Sequence, residues 1–233
     1  MRVFVVFLLS VAFCFANANE IVGSVENLKG SVKVKSKNSI RKVKIQKGFK
    51  IVKGDLIITS RHAFAKIKLT DSSEIVLDES STISFDSVHD ADQKGGKVYY
   101  RITSRDARNS LKIRTQFAII GVKGTTFIIS ATKKDSSLSL KEGVVGITSI
   151  KEEFELYRKK VQQEFENFMT QQQSGFEEYK RAQTFGFAEK TKSFDLHEGK
   201  TVSFDGNKAS EKEWSKKDDE EFEYFQNIIR SMK

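Results

Sequence analysis

Alternation of apolar with charged or polar residues dominates residues 21–150, and a chain with period two over that length has to fold mainly as β-sheet. Val32 and Val34 alternate with Lys33 and Lys35, Val43 and Ile45 with Lys42 and Lys44, and Ala65, Ile67 and Leu69 with Lys66 and Lys68. The pattern returns at Ile83 and Phe85, at Val98, Tyr100 and Ile102, and at Leu111 and Ile113. Each stretch predicts a short strand with one buried face. Gly30, Gly48, Gly54-Asp55, Asp71-Ser72-Ser73, Gly95-Gly96 and Glu142-Gly143 separate them with turn chemistry. Many short, glycine-bounded strands with no helical period predict an antiparallel-rich sandwich, roll or solenoid rather than alternating βαβ units. The chain holds no proline. Edge protection, which proline often supplies, therefore falls to the outward lysines.

Ahead of this region, Arg2 is followed by an apolar run over residues 3–15 and then by Ala16-Asn17-Ala18. A charged start, an apolar middle and a small-x-small end predict a secretory signal peptide at 1–18, cleaved after Ala18, and hence a periplasmic or otherwise exported protein. The run is shorter than the about 20 residues of a spanning helix, so no stable membrane span is expected after cleavage. Lipoprotein processing at Cys14 is disfavoured, because Phe13 stands where a small residue belongs. Removing residues 1–18 leaves 215 of the 233 residues and takes away one base, Arg2, so the net charge of +9 falls to +8. It also removes the only cysteine. Disulfides, a thiol nucleophile and thiolate zinc sites are thereby excluded from the exported protein. A domain of this size buries roughly 70% of its unfolded surface and needs no such staple.

At Lys151 the period changes. From Phe154 the chain runs FELYRKKVQQE, FENFMTQQQSG, FEEYKRAQTFG, an eleven-residue repeat with Phe154, Phe165 and Phe176 in one slot and Tyr157, Phe168 and Tyr179 in another. Eleven residues in three turns is about 3.67 per turn, close to the natural helix, so the repeat predicts a helical insertion over 151–185 with one aromatic stripe. Three repeats would span about 50 Å as one helix. Strand pattern resumes at Phe194-Asp195-Leu196 and Val202-Ser203-Phe204, within closing strands at 192–206, after a link that reaches only ~26 Å. A hairpin break near Ser174-Gly175 reconciles the two lengths. Ser210 and Glu213 have capping-box spacing, and Trp214, Phe222, Phe225, Ile229 and Met232 recur at helical intervals. An amphipathic C-terminal helix is expected over 210–233, with acidic residues from Asp218 to Glu221 suiting the positive end of its dipole.

The order Gly23-x-Val25, Lys29-Gly30-x-Val32-x-Val34, Lys53-Gly54-Asp55-x-Ile57-x-Thr59, then Asp71 and Glu74 to Leu77, resembles the first half of the FecR domain. Lys112-x-x-Thr115, Ala118, Gly121 to Thr125, Phe127, and Leu138-x-Leu140-x-Glu142-Gly143-x-Val145 resemble its second half. Together they cover residues 21–149, and Leu196-x-x-Gly199-x-x-Val202 is similar to the closing strand pair of that family. Gln116 stands where the family usually has proline, Lys123 where it has arginine, and Ser72 where it has glycine. The resemblance implies an all-β periplasmic domain that binds other proteins, with Gly54, Asp55, Gly121, Gly124, Thr125 and Gly143 as structural positions and tight turns at the glycines. It does not imply transmembrane signalling, because the cytoplasmic anti-sigma segment and the membrane helix of the iron-citrate regulators have no counterpart in this sequence.

Several chemistries are weaker fits. Ile119-Ile120-Gly121-Val122-Lys123-Gly124 matches a GxxG loop of nucleic-acid-binding domains, but that loop requires flanking helices, and a β-branched run follows here; no nucleic acid is expected as a partner. His62, His89 and His197 lack metal-ligand spacing and no Gly-x-Ser-x-Gly elbow occurs, so neither a catalytic residue, nor a metal, nor a cofactor is assigned. Ten basic residues and no acid fall between Lys29 and Lys53. Alternation places Lys33, Lys35, Lys42, Lys44, Lys66 and Lys68 on one outward face, able to attract an anionic envelope polymer or lipid A phosphate, or simply to keep the sheet soluble. Phe154, Tyr157, Phe165, Phe168, Phe176 and Tyr179 either pack as core or, if exposed, form an apolar ridge for a protein partner or self-association. The sequence thus predicts a mainly β FecR-like sandwich or roll at 19–150 with a helical insertion and a C-terminal helix. Its expected role is that of an exported, non-enzymatic interaction or scaffold module, with polyanion binding and coupling of an envelope cue to a separate membrane protein as rivals.

Overall fold

The computed structural model describes residues 20–103, 110–133, 135–158 and 188–232. The expected signal peptide, and Phe165, Phe168, Phe176 and Tyr179 of the repeat, lie outside the described residues. Two sheets enclose one apolar core. β1 (Ile21–Lys29) lies in sheet I, β2 (Val32–Lys35) and β3 (Val43–Lys44) in sheet II, β4 (Lys50–Val52) in sheet I, and β5 (Leu56–Thr59) in sheet II. β6 (Phe64–Leu69) and β7 (Glu74–Leu77) return to sheet I, β8 (Thr82–Ser87) lies in sheet II, and β9 (Asp90–Arg101) runs from sheet II into sheet I. β10 (Leu111–Arg114) and β11 (Ala118–Val122) belong to sheet II, and β12 (Thr126–Ala131) and β13 (Ser136–Glu142) to sheet I. β14 (Val144–Ser149) follows in sheet II, β15 (Phe154–Tyr157) and β16 (Glu189–Thr191) in sheet I, and β17 (Ser193–His197) in sheet II. β18 (Lys200–Asp205) and β19 (Lys208–Glu213) complete sheet I before helix α1 (Lys216–Ser231).

In space, sheet I is ordered β4-β1-β6-β7-β9-β12-β13-β18-β19-β15-β16, and sheet II β3-β2-β5-β8-β9-β10-β11-β14-β17. Neighbours are antiparallel except β9–β10 and β15–β19. The mainly β, antiparallel-rich architecture expected from period two is therefore the observed one. Many turns between successive strands carry the chain from one sheet to the other rather than into a hairpin. β9 makes the change within a single strand, bending at Gly95-Gly96. Gly96 has φ +87°, and a Cβ there would lie 2.4 Å from Ser81 Cα, so no other residue fits without displacing backbone. Gln93, fully buried, holds the bend. Its amide donates to the Gly96 and Ile129 carbonyls at 3.0 and 3.2 Å, while its oxygen accepts from the Tyr100 hydroxyl at 2.8 Å.

Inward positions follow the alternation. Val32, Val34, Ile57, Ile83 and Phe85 of sheet II meet Ala65, Ile67, Ile75, Val98 and Phe127 of sheet I in one cluster. Val43 is the exception, 58% exposed on the two-residue edge strand β3. Sheet I carries a second, outward apolar set, Val76, Tyr99 and Ile128, which α1 covers with Phe222, Phe225 and Ile228. The Tyr99 ring stacks on Phe225 at 5.7 Å and meets Phe222 edge-on at 6.0 Å. The helix starts later than its sequence spacing predicts. Ser210 and Glu213 sit in β19, and the capping box is Ser215 with Asp218. Ser210 pairs in register with Ser203 and is held by that strand ladder, which outweighs a local cap.

Candidate interaction surfaces

The aromatic ridge is the first expectation that the fold rearranges. Phe154 and Tyr157 are not helical; they are the ends of β15. Residues three apart share a face on a helix but point to opposite faces of a strand. Phe154 and Leu156 accordingly enter the core, with Phe154 edge-on to Phe194 at 5.6 Å and tilted against Phe204 at 5.7 Å, whereas Tyr157 is partly exposed. Parallel pairing with β19 and antiparallel pairing with β16 supply the ladder hydrogen bonds that make the strand better than an isolated helical turn. The stretch FELY also alternates apolar with less buried residues, so period two was present there, hidden inside the longer repeat.

The same pairing fixes where the intervening segment leaves and returns. Leu156 and Glu189 are register partners in β15 and β16. Arg158 clamps this exit point: its Nε donates to Glu211 at 2.9 Å, its Nη2 to the Asp195 carbonyl at 3.2 Å, and its guanidinium lies 5.6 Å from the Phe194 ring centre. Asp195 belongs to the edge strand β17, so Arg158 also occupies a carbonyl that an open edge would present. A charged cleft of about 410 Å³ lies at the start of β15, lined by Lys151, Glu152, Glu153, Lys190 and Lys192 among others. Nothing in the residue spacing pointed to Arg158, because its partners are 37 and 53 positions away.

The six lysines expected on one face divide between the two sheets. Lys33 and Lys35 lie on β2, Lys44 on β3 and Lys42 just before it, all at one edge of sheet II; Lys66 and Lys68 lie on β6 in sheet I. Alternation assigns the outward side of each strand but not the sheet to which the strand belongs. Lys66 is moreover not free to meet a polyanion. It is 14% exposed and bridges Glu26 at 2.8 Å and Glu74 at 2.9 Å, with Arg101 on the far side of Glu74 at 3.2 Å. Burial alone lowers the Lys66 ammonium, and hydrogen bonds to the two carboxylates outweigh it and leave its pKa raised; Glu26 is lowered, chiefly by its hydrogen bond from Lys66.

The family-motif positions lie mostly where the chain changes sheets. Gly54-Asp55 joins β4 to β5; the Gly54 N–H donates to Phe85 O at 2.7 Å, and Asp55, 1% exposed, accepts the Val52 N–H at 3.1 Å. Gly124-Thr125 joins β11 to β12, and Gly143 joins β13 to β14. These two crossovers pack together so closely that a Cβ on Gly143, which has φ +90°, would meet Gly124 O at 2.9 Å. Gly121 departs from expectation. It is no turn residue but an interior position of β11, opposite Gly146 and next in the row to Asp195 of β17. There the two glycines leave a strip without side chains on the outer face of sheet II.

A polar cluster that the spacing of residues did not single out anchors α1. Asp218 accepts from the Ser139 hydroxyl at 2.8 Å, the Thr201 hydroxyl at 2.7 Å and the Ser215 N–H at 2.9 Å. Burial raises its carboxyl, but hydrogen bonds from Ser215, Thr201 and Ser139 more than compensate and hold it below the usual aspartate range. Lys97 pairs with Glu221 at 2.9 Å, and the Tyr224 hydroxyl donates to Asp78 at 3.0 Å. Burial pushes both Asp78 and Tyr224 above their ordinary values. At the far end the Asn27 amide donates to the Met232 carbonyl. The three histidines are scattered: His62 lies in the β5–β6 crossover, His89 between β8 and β9, and His197 at the end of β17.

The family model described as FecR protein matches residues 55–146, which run from the Asp55 turn into the first half of β14. The match is narrower than the resemblance read from residues 21–149. No curated protein matches the chain. Two crystal structures of a candidate anti-sigma factor from Parabacteroides distasonis are similar to it, at 10% and 11% identity with TM-scores of 0.46 and 0.47. Each similarity covers 69% of this chain and only 60% of the other.

Proposed function

We propose that this chain, which carries a FecR domain over residues 55–146, is an exported, non-catalytic protein-interaction module of the cell envelope. Its partner contacts come from the segment inserted between β15 and β16. The observation that carries this reading is the register pairing of Leu156 with Glu189: the insertion begins and ends on adjacent strands whose ladder is complete without it. Of the six aromatic residues in the repeat, the core takes Phe154 and β15 holds Tyr157; on this reading, Phe165, Phe168, Phe176 and Tyr179 meet a partner or a second copy. Aromatic side chains deliver large contact area at low entropic cost and are over-represented in binding hot spots. The FecR domain then acts as the rigid base, with the Arg158 clamp fixing the insertion where it leaves the sheet.

Replacing residues 159–187 by Asn-Gly tests this: in the register that sets Leu156 opposite Glu189, Arg158-Asn-Gly forms a three-residue hairpin loop with glycine at its left-handed position. The expected outcome is a folded sandwich with an unchanged β-sheet spectrum, a similar melting midpoint, and loss of the crosslinked or self-associated species that this reading expects of the intact chain in light scattering and in-cell crosslinking. Persistence of those species, or collapse of the sandwich on removal of the segment, overturns the reading. Phe165→Ala with Phe168→Ala in the intact chain should reproduce the loss without touching the strands.

A further inference from the structure

Among the described residues, the hairpin of β2 and β3 stands apart from the other sheet edges. Between its strands the chain turns through residues 36–42, and the turn is locked by Ser39, whose N–H donates to Ser36 O at 2.9 Å and whose hydroxyl accepts the Arg41 N–H at 3.1 Å. That lock presents Ile40, 94% exposed, at the tip, while Val43, 58% exposed, stands opposite Val34 where β3 begins. Around them Lys37, Arg41, Lys42 and Lys44 are all exposed. None of these four makes an ion pair among the described residues, whereas Lys66, one sheet away, is held by two carboxylates. The stretch from Lys29 to Lys53 offers ten bases and no acid to cancel them. Glu26 on β1 is already taken by Lys66.

An exposed valine or isoleucine alone is ordinary, and so is a lysine-rich edge. The combination is not. An isoleucine at the apex of a hairpin, a half-exposed valine on its edge strand and uncompensated cations flanking both in the chain match a surface that is anionic at its outside and apolar just beneath it. We infer that the β2–β3 hairpin docks on an anionic lipid bilayer, with Lys37, Arg41, Lys42 and Lys44 at the headgroup phosphates and Ile40 and Val43 entering the acyl boundary. Charge complementarity selects the occupant: a cationic ring attracts an anionic leaflet, while the apolar tip has no counterpart on a soluble polyanion. Lys66 and Lys68 take no part, being on the other sheet. The inference is independent of the partner proposed for the segment between β15 and β16.

Hydrogen exchange on the full chain tests it, read locally at the amides of residues 36–44. The apolar run at residues 3–15 can bring the chain to any vesicle, and a local readout separates that from docking by the hairpin. Vesicles of equimolar phosphatidylcholine and phosphatidylglycerol should protect these amides, phosphatidylcholine alone should not, and added salt should weaken the protection. Ile40→Asp should weaken binding at this site roughly tenfold, and Lys42→Gln with Lys44→Gln roughly thirtyfold, both with the melting curve of the parent. Protection by inorganic polyphosphate that Ile40→Asp leaves intact would make this a polyanion site and overturn the proposal. Equal protection by both vesicles, or none by either, would also overturn it.

Discussion

The outer faces of the two sheets are built from the same kind of short strand yet meet opposite fates. On sheet I the central strands β7, β9 and β12 turn Val76, Tyr99 and Ile128 outward, and α1 lies over them. On sheet II the corresponding outward positions hold Asp90, Arg114, Gly121 and Gly146, paired as Arg114–Asp90 at 2.8 Å or lacking a side chain altogether, and no described helix covers them. The difference lies in where two-sided apolar runs cluster: Ile75-Val76-Leu77, Val98-Tyr99-Tyr100 and Phe127-Ile128-Ile129 sit on the adjacent strands β7, β9 and β12, whereas the outward Leu56, Ile58 and Ile119 of sheet II stand on the separate strands β5 and β11 and are partly exposed. A continuous apolar patch on an outer face favours a cover in a way that scattered residues do not. The helix fits the span, since its polar contacts run from Thr201 on β18 to Asn27 on β1. Those strands lie six spacings apart, about 29 Å, against about 24 Å of helix plus its capping residues.

The comparison is broken most severely by removing the cover. Phe225→Ala takes a fully buried ring from against Tyr99 and should cost about 3–5 kcal/mol in denaturant unfolding, whereas Thr148→Ala on the bare face should stay within about 0.5 kcal/mol. A loss for Phe225→Ala no larger than that for Thr148→Ala would mean the helix is a passenger. Asp218→Asn comes next. It weakens charge-assisted hydrogen bonds to Ser139, Thr201 and Ser215 and should cost about 1–2 kcal/mol at neutral pH. Because the folded carboxyl titrates below its ordinary value of 3.8, its contribution is present above that value and is lost as pH falls through the lowered one. Melting curves of the parent and Asp218→Asn should therefore converge toward acid; a constant gap would show that the carboxylate charge is not what the cluster recognises. The smallest effect belongs to the bare strip. Gly121→Ala would place its Cβ no closer than 3.9 Å to Gly146 O, and it should leave stability unchanged or raise it by about 0.5 kcal/mol; a marked loss would reveal something packed on sheet II after all.

How far the fold was legible depended on the range of the interaction that decided each element. The strand pattern from β1 to β14, the buried sides of β2, β6, β8 and β10, and the helical spacing of Phe222 and Phe225 are local periodicities that burial then used. Positions decided by partners far along the chain were not legible. Phe154 and Tyr157 carry an eleven-residue repeat and still join a ladder with β19, about fifty residues later. Ser210 and Glu213 have the spacing of a cap, but pairing with β18 claims them. Lys66 has the alternation of Lys33, yet Glu26 and Glu74 hold it because β6 lies between β1 and β7.

By itself, then, the sequence determined that this chain builds short strands with one buried side, that glycines bend it between them, and that its C-terminal stretch is amphipathic. Those properties reside in neighbours within a few residues, where side-chain alternation and backbone freedom act directly. Only the tertiary structure decided which sheet each strand joins, that Gly54, Gly124 and Gly143 lie at crossovers, that α1 closes sheet I and leaves sheet II open, and that the lysines of one pattern serve two surfaces. A period of two says that a residue faces in or out; which sheet it faces from is set by hydrogen-bond partners and apolar contacts that exist only once distant segments have met.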